Sequence, residues 1–224
     1  KQNGKEWREW RGKGIGASDA PIIMGDSPYQ SPFELWLNKT GIKEREAPNE
    51  YALAAMRRGT ELEPTARNLF EKMVGRKYEV LSAEHAEYDF IRASFDGVNQ
   101  EHKSIIEIKC PGKEAHATAL KGKVPKYYYG QVQQQLMVSG YDLCYYVSWN
   151  GVMADAPVVV EVKADKEYQA KLLAALIDFW KRITEKVLPD VSNKDIIKLI
   201  KSAEKDLANL TSTIQVFKSL TEEK

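Results

Sequence analysis

The chain has 224 residues, with 33 lysines and arginines against 32 aspartates and glutamates, for a formal net charge of +1. That length predicts one domain with a sizeable core and room for an appendage. A charged fraction of 29%, with no apolar run near the roughly 20 residues of a spanning helix, excludes a helical membrane protein.

Taken in order, the first patterned stretch is Trp7 to Gly25, in which a basic run, Arg8–Lys13, leads into a glycine-rich loop and a short apolar helix. Ser18 reads as the N-cap and Gly25 as the stop. Backbone N–H groups at such a start can hold a phosphate, with Arg11 as counter-charge, although the glycines also suit a plain turn. Residues 31–40 form a helix: Ser31 caps it, Pro32 opens it, Glu34 closes a capping box and Gly41 ends it. Asn49 to Arg58 reads as one helix stopped at Gly59, and Thr60 to Val74 as another, with Leu62, Ala66, Leu69, Phe70 and Met73 on one face. Thr60 and Glu63 match a capping box, and Pro64 marks a helix start or a kink.

Tyr78–Leu81 and Tyr88–Arg92 alternate as strands, and with 94–110 they predict an antiparallel meander. Gly112 to Leu120 is helical. Pro125 opens a further helix in which Val132, Leu136 and Met137 face the core and Gln131 and Gln135 share a polar flank. Its tyrosines, Tyr127 to Tyr129, suit a nucleic-acid surface and equally suit half-buried packing. Asp142–Trp149 and Ala156–Lys163 are strands, and Lys166–Leu188 is an amphipathic helix ended by Pro189. Beyond it, Ile196, Ile200, Ala203, Leu207, Leu210, Ile214 and Phe217 mark a heptad seam, so residues 190–224 form an amphipathic extension that wants a partner. Residues 1–189 are then the main domain. Two cysteines without a framework, three histidines without zinc spacing and no recognisable signal peptide fit a reducing cytoplasm.

The chemistry concentrates in Ser94-Phe95-Asp96-Gly97 and Ile105-Ile106-Glu107-Ile108-Lys109-Cys110-Pro111. Side chains two apart on a strand share a face, so Glu107 and Lys109 point one way and Ile106 and Ile108 the other. A hairpin through 98–104 brings Asp96 beside Glu107. Two converging carboxylates repel unless a cation or a proton lies between them, and Mg²⁺ takes a few carboxylate oxygens and keeps several waters. Lys109 then stands where it can orient an attacking water. An exposed hairpin with a Glu/Lys pair has the same spacing, and spacing alone does not separate the two.

The order of motifs resembles the phage lambda-exonuclease, or YqaJ-type, viral recombinase family of the PD-(D/E)XK nuclease superfamily. The matching segments are Trp7…Gly16-Ala17-Ser18, Gly59-Thr60-Glu61-Leu62-Glu63…Ala66-Arg67…Leu69-Phe70-Glu71, Ser94-Phe95-Asp96-Gly97, Glu107-Ile108-Lys109-Cys110-Pro111 and Gln131-Val132-Gln133. Phe95 stands where the family usually has proline. The resemblance implies a mixed α/β, restriction-endonuclease-like core with a central mixed sheet flanked by helices. It implies Mg²⁺, with Mn²⁺ able to substitute, on Asp96, Glu107 and the backbone carbonyl of Ile108. Lys109 would position the water, Glu63 would support the site, and Arg11, Ser18, Ser94 and Gln131 would hold a 5′-phosphate. It further implies a 5′-to-3′ exonuclease on linear double-stranded DNA, in a bacterial host cell, as a ring trimer working with a single-strand annealing protein. A restriction-like endonuclease and a non-catalytic DNA-binding module are the alternatives. The intact acidic pair and lysine argue against the second, and the phosphate-pocket residues argue for end recognition over internal cutting.

Overall fold

Six strands build one mixed sheet, and the site hangs on how two of them part. The computed structural model describes residues 4–44 and 47–222, the side chains of 213–222 excepted. The strands are β1 (Ile15–Gly16), β2 (Glu79–Glu84), β3 (Ile91–Asn99), β4 (Ser104–Lys109), β5 (Leu143–Ser148) and β6 (Val158–Lys163). Along the sheet the order is β1-β3-β4-β5-β6, with β2 antiparallel on the other edge of β3. β4 and β5 run parallel, which demands a crossover. Helices α5 (Lys113–Leu120) and α6 (Lys126–Ser139) supply it.

Alternation along β4 sorts the two faces. Ile105 joins Phe95, Val132, Leu136 and Tyr146 in the core beneath α6. Ile106 and Ile108 join Phe70, Val147 and Trp149 on the opposite face, under α4 (Glu50–Val74). Burying a ring such as Phe70, which is fully covered, contributes about 1.5–3 kcal/mol. A third cluster packs Phe33, Trp36, Leu172, Leu176 and Phe179 around β1. It joins α2 (Ala20–Ile23), α3 (Pro32–Lys39) and α7 (Lys166–Thr184). The Ser31 cap and its Glu34 partner form as the sequence predicts, at 3.1 and 2.9 Å.

Three readings need correction. Residues 50–74 are one helix, not two. The Asn49 side chain caps it, and Thr60 Oγ1 bonds back to the Met56 carbonyl at 3.1 Å in place of capping a new start. Glu63 turns to Arg67, one turn on, and closes no capping box. Packing of Ala66 and Phe70 on β4 outweighs the local penalties of Gly59 and Pro64. Ser18 is no N-cap, because it lies inside a 3₁₀ turn over Ala17–Asp19. Asp19 makes the local contacts there, to Gly16 N–H at 3.2 Å and to Lys39 at 2.9 Å. Finally, α7 ends at Thr184, and the chain doubles back so that Arg182 bonds the Leu188 carbonyl.

The extension forms α8 (Asn193–Glu222). It meets the body through its polar side: Asp195 with Ser31 at 2.6 Å, Lys198 with Glu34 at 2.8 Å and Ser202 with Lys43 at 3.2 Å. The seam residues Ile196, Ile200, Leu207 and Leu210 therefore stay exposed, while the side chains of Ile214 and Phe217 lie outside the described residues. Among the described residues no helix is long and apolar enough to cross a membrane.

Candidate active site

β3 shares one edge between two partners. β1 pairs with it at Ile91 and Arg92, and β4 pairs with it from Gly97 to Asn99. Between these ladders, residues 93–96 pair with neither β1 nor β4, and Ser94 and Asp96 lie there. Buried carbonyls need donors, and side chains supply them. Gln134 bonds the Arg92 and Ile15 carbonyls, Gln135 the Ser94 carbonyl, and Arg67 the Asp96 carbonyl at 2.6 Å. Glycine at 97 lets the strands close again: a Cβ there would stand 2.6 Å from Tyr78 and 2.8 Å from Ile106.

At the parting, Asp96 Oδ2 accepts the Ile108 N–H at 2.7 Å, which ties the two strands through a side chain. Glu107 is only 2% exposed. Its Oε1 accepts from Gln131 at 2.6 Å and pairs with Lys109 at 2.5 Å, and its Oε2 accepts from Gln135 at 2.5 Å. The Lys109 ammonium also sits 5.0 Å from the Tyr128 ring centre, a cation–π contact. Glu63 reaches the cluster from α4 and is clasped by Arg67.

The electrostatics agree with the geometry. Burial, then the charges of Glu107 and Glu63, hold the Asp96 carboxyl well above the usual range. Burial likewise raises Glu63, against the opposing pull of Arg67. Burial alone would depress the Lys109 ammonium, but Glu107 and Asp96 more than offset it and raise it. An ammonium held this firmly keeps its proton at neutral pH, so it can donate and attract but not serve as a base.

Like-charged carboxylates crowded at one point are the condition that a divalent cation relieves. Among the described residues no three histidine, cysteine or acidic side chains form a ready ligand cage. Two carboxylates, a backbone carbonyl and water are nevertheless a set that suits Mg²⁺, which keeps part of its hydration. The residues therefore fit such an ion.

A stability effect follows from the Asp96 shift. Its folded value lies above its unfolded one, so between the two the folded chain binds more protons and stability falls as pH rises. Metal-free protein is expected to lose melting temperature from pH 4 upward through the raised value. Asp96→Asn keeps an oxygen for the Ile108 N–H and removes the repulsion, so it is expected to flatten that fall and melt higher at pH 7. Calorimetric melting across pH checks both, and an unchanged or lower melting point for Asp96→Asn at pH 7 contradicts them.

The other sequence-singled residues gather in the same cleft, of about 1240 Å³. Arg11, on α1 (Lys5–Gly12), bonds the Ser18 hydroxyl and lies against Gly16, where a Cβ would come within 3.0 Å of its Nε. Ser94 accepts from Trp7 Nε1 at 2.9 Å and meets Ser82 at 3.1 Å. Gln131 also lines the cleft, but its amide is engaged with Glu107. Sequence reading gave no site role to Gln135, Arg67 or Trp7, and left Tyr128 open between a nucleic-acid surface and packing. The signal for Gln135 was present in its spacing of four from Gln131, on the flank of a helix whose other side is core.

The model of the YqaJ-like viral recombinase domain matches residues 6–142. Uncharacterized protein YqaJ of Bacillus subtilis is 36% identical over 182 residues, covering 78% of this chain and 54% of its own length. The chain thus spans about half of that relative. An alkaline exonuclease, LHK-Exo of Laribacter hongkongensis, superposes with a TM-score of 0.71 at 24% identity, over 90% of this chain and 99% of that one. The same enzyme in complex with dAMP gives 0.69 at 25% identity, again over 90% and 99%.

Proposed function

As this chain belongs to the YqaJ-like viral recombinase family, we propose that it is a metal-dependent nuclease digesting linear double-stranded DNA from its ends. The observation that carries this is the meeting, in one cleft, of the Asp96–Glu107–Lys109 cluster with the anion donors Arg11, Ser18 and Ser94. The name of LHK-Exo as an exonuclease, and its complex with a mononucleotide, support the same reading.

In this mechanism Asp96, Glu107 and the Ile108 carbonyl would hold Mg²⁺, for which Mn²⁺ could substitute. Held there, such an ion would supply Lewis-acid charge and an activated water. Gln131 and Gln135 fix the Glu107 carboxylate from two sides. Lys109 orients the attacking water and offsets the negative charge that builds on the phosphate oxygens. Glu63 and Arg67 brace the Asp96 backbone from α4. Arg11, Ser18, Ser94 and Gln131 hold a terminal 5′-phosphate, which sets the distance to the bond cut and so gives mononucleotide products. Digestion then runs 5′ to 3′ and leaves a 3′-ended strand for a single-strand annealing protein, in the host cytoplasm. A homo-oligomeric ring belongs to the same proposal.

Incubation of linear and covalently closed circular duplex with the protein, with Mg²⁺ or with chelator, tests this. Loss of linear DNA alone, and only with Mg²⁺, is the expected result. Cutting of closed circles would put a restriction-like endonuclease first. Binding without cutting under any metal would put a non-catalytic module first. The end-binding role has its own test. Arginine offers a phosphate a bidentate fork. Arg11→Ala is expected to erase most of the preference for 5′-phosphate over 5′-hydroxyl ends. Equal rates of the wild-type protein on both ends would remove the pocket.

A further inference from the structure

Tyr29, in the loop before α3, is 77% exposed, yet its ring is not loose on the surface. It meets Tyr127 edge to face, with centroids 5.9 Å apart and planes at 80°. Tyr127 meets Tyr128 at 4.5 Å, and Tyr128 lies 5.0 Å beneath the Lys109 ammonium. Three rings thus form a continuous file from the open side of the cleft to the lysine of the candidate site, all lining that cleft. The core does not account for Tyr29, which is mostly exposed and touches Tyr127 at the rim of the cleft. A lone exposed aromatic needs no explanation, but Tyr29 leads through the half-buried Tyr127 and Tyr128 to the Lys109 ammonium.

A nucleic-acid base has a π face whatever its identity, and aromatic rings beside a phosphate-binding groove are how proteins hold unpaired strands. Glu107 lines the cleft yet is almost wholly covered, so a nucleotide freed from the duplex stack reaches it more readily than one held in the stack. On the reading of this cleft as a nuclease site, we propose that Tyr29 and Tyr127 form a stacking platform for the unpaired 5′-terminal base of the strand being cut. Tyr127 props the Tyr29 ring, and Tyr128 sits between the platform and Lys109. Stacking is tolerant of sequence, so the platform serves every end, with purines held better than pyrimidines.

The test uses 5′-phosphorylated duplexes that carry one unpaired 5′-terminal nucleotide, either with its base or as an abasic unit. Neither version pairs at that position, so only stacking differs. Release of the first nucleotide with Mg²⁺ is expected to show a kcat/KM about tenfold higher for the base than for the abasic unit. Tyr29→Ala with Tyr127→Ala should abolish that ratio, and phenylalanine at both positions should restore it. Tyr29→Ala alone, at an exposed position that cannot endanger folding, should reduce it. If the wild-type protein releases both ends at equal rates while digesting linear duplex, the platform is wrong and the nuclease reading stands. If it digests neither, both fall.

Discussion

Glu107→Gln is expected to take DNA cleavage below detection while the protein still folds and binds DNA. The carboxylate is almost wholly buried at the cleft wall and held by Gln131, Gln135 and Lys109. Glutamine keeps the shape and one acceptor but loses the negative charge that a divalent ion requires. On the proposed reading, an ion held there would contribute several kcal/mol of charge stabilisation in the transition state, about 10³-fold or more in rate. Asp96→Ala should act the same way. Glu107→Ala is a harsher variant, because it leaves the buried Gln135 amide without an acceptor, at about 1–3 kcal/mol, and frees the half-buried Gln131 and Lys109 donors as well. DNA affinity should persist or rise with one acid gone, since the cleft becomes less negative. The checks are a gel assay of linear duplex with Mg²⁺ and a melting curve. Near-normal cleavage by folded Glu107→Gln would end the assignment.

Lys109→Ala is expected to lower turnover by about 10²–10³, the range for losing one preorganised donor at a developing charge. Its ammonium is tied to Glu107 and seated on Tyr128, so it is in place before substrate arrives. Because the neighbouring acids hold the proton on it, raising the pH from 7 to 9 should not discharge it. Lys109→Arg should rescue poorly, since a planar guanidinium cannot occupy the place of a compact ammonium. Metal binding by calorimetry should survive in Lys109→Ala, which separates loss of a donor from loss of the ion. An unchanged kcat with only weaker DNA affinity would make Lys109 a surface contact.

The hairpin reading made the approach of Asp96 to Glu107 legible, and strand alternation put Glu107 and Lys109 on one face, because a two-residue period fixes which face a side chain takes. The Ser31–Glu34 cap was equally legible, since capping is a local matter of four residues. Long-range packing was not. Gly59 and Pro64 are breakers by local propensity, and only the fit of Ala66 and Phe70 onto β4 keeps α4 continuous. The parting of β3 from β4 also left no local mark, because it depends on side chains from α4 and α6 that cap strand carbonyls in place of a ladder. For the same reason Gln135 read as a polar flank, while the structure makes it a donor to the buried acid. The heptad pattern of residues 190–224 called for an amphipathic helix with a partner; α8 is helical there, yet it binds the body with its charged side and leaves the described seam exposed.

The most direct test is to follow a linear duplex that carries a radiolabelled 5′-phosphate on one strand and a distinct label at that strand's 3′ end, with the protein and Mg²⁺. The 5′ label is expected to appear first, and as mononucleotide, while the 3′ label remains in long DNA, and neither should be released in chelator. Release of the 5′ label in oligonucleotides, or of the 3′ label first, would contradict the account.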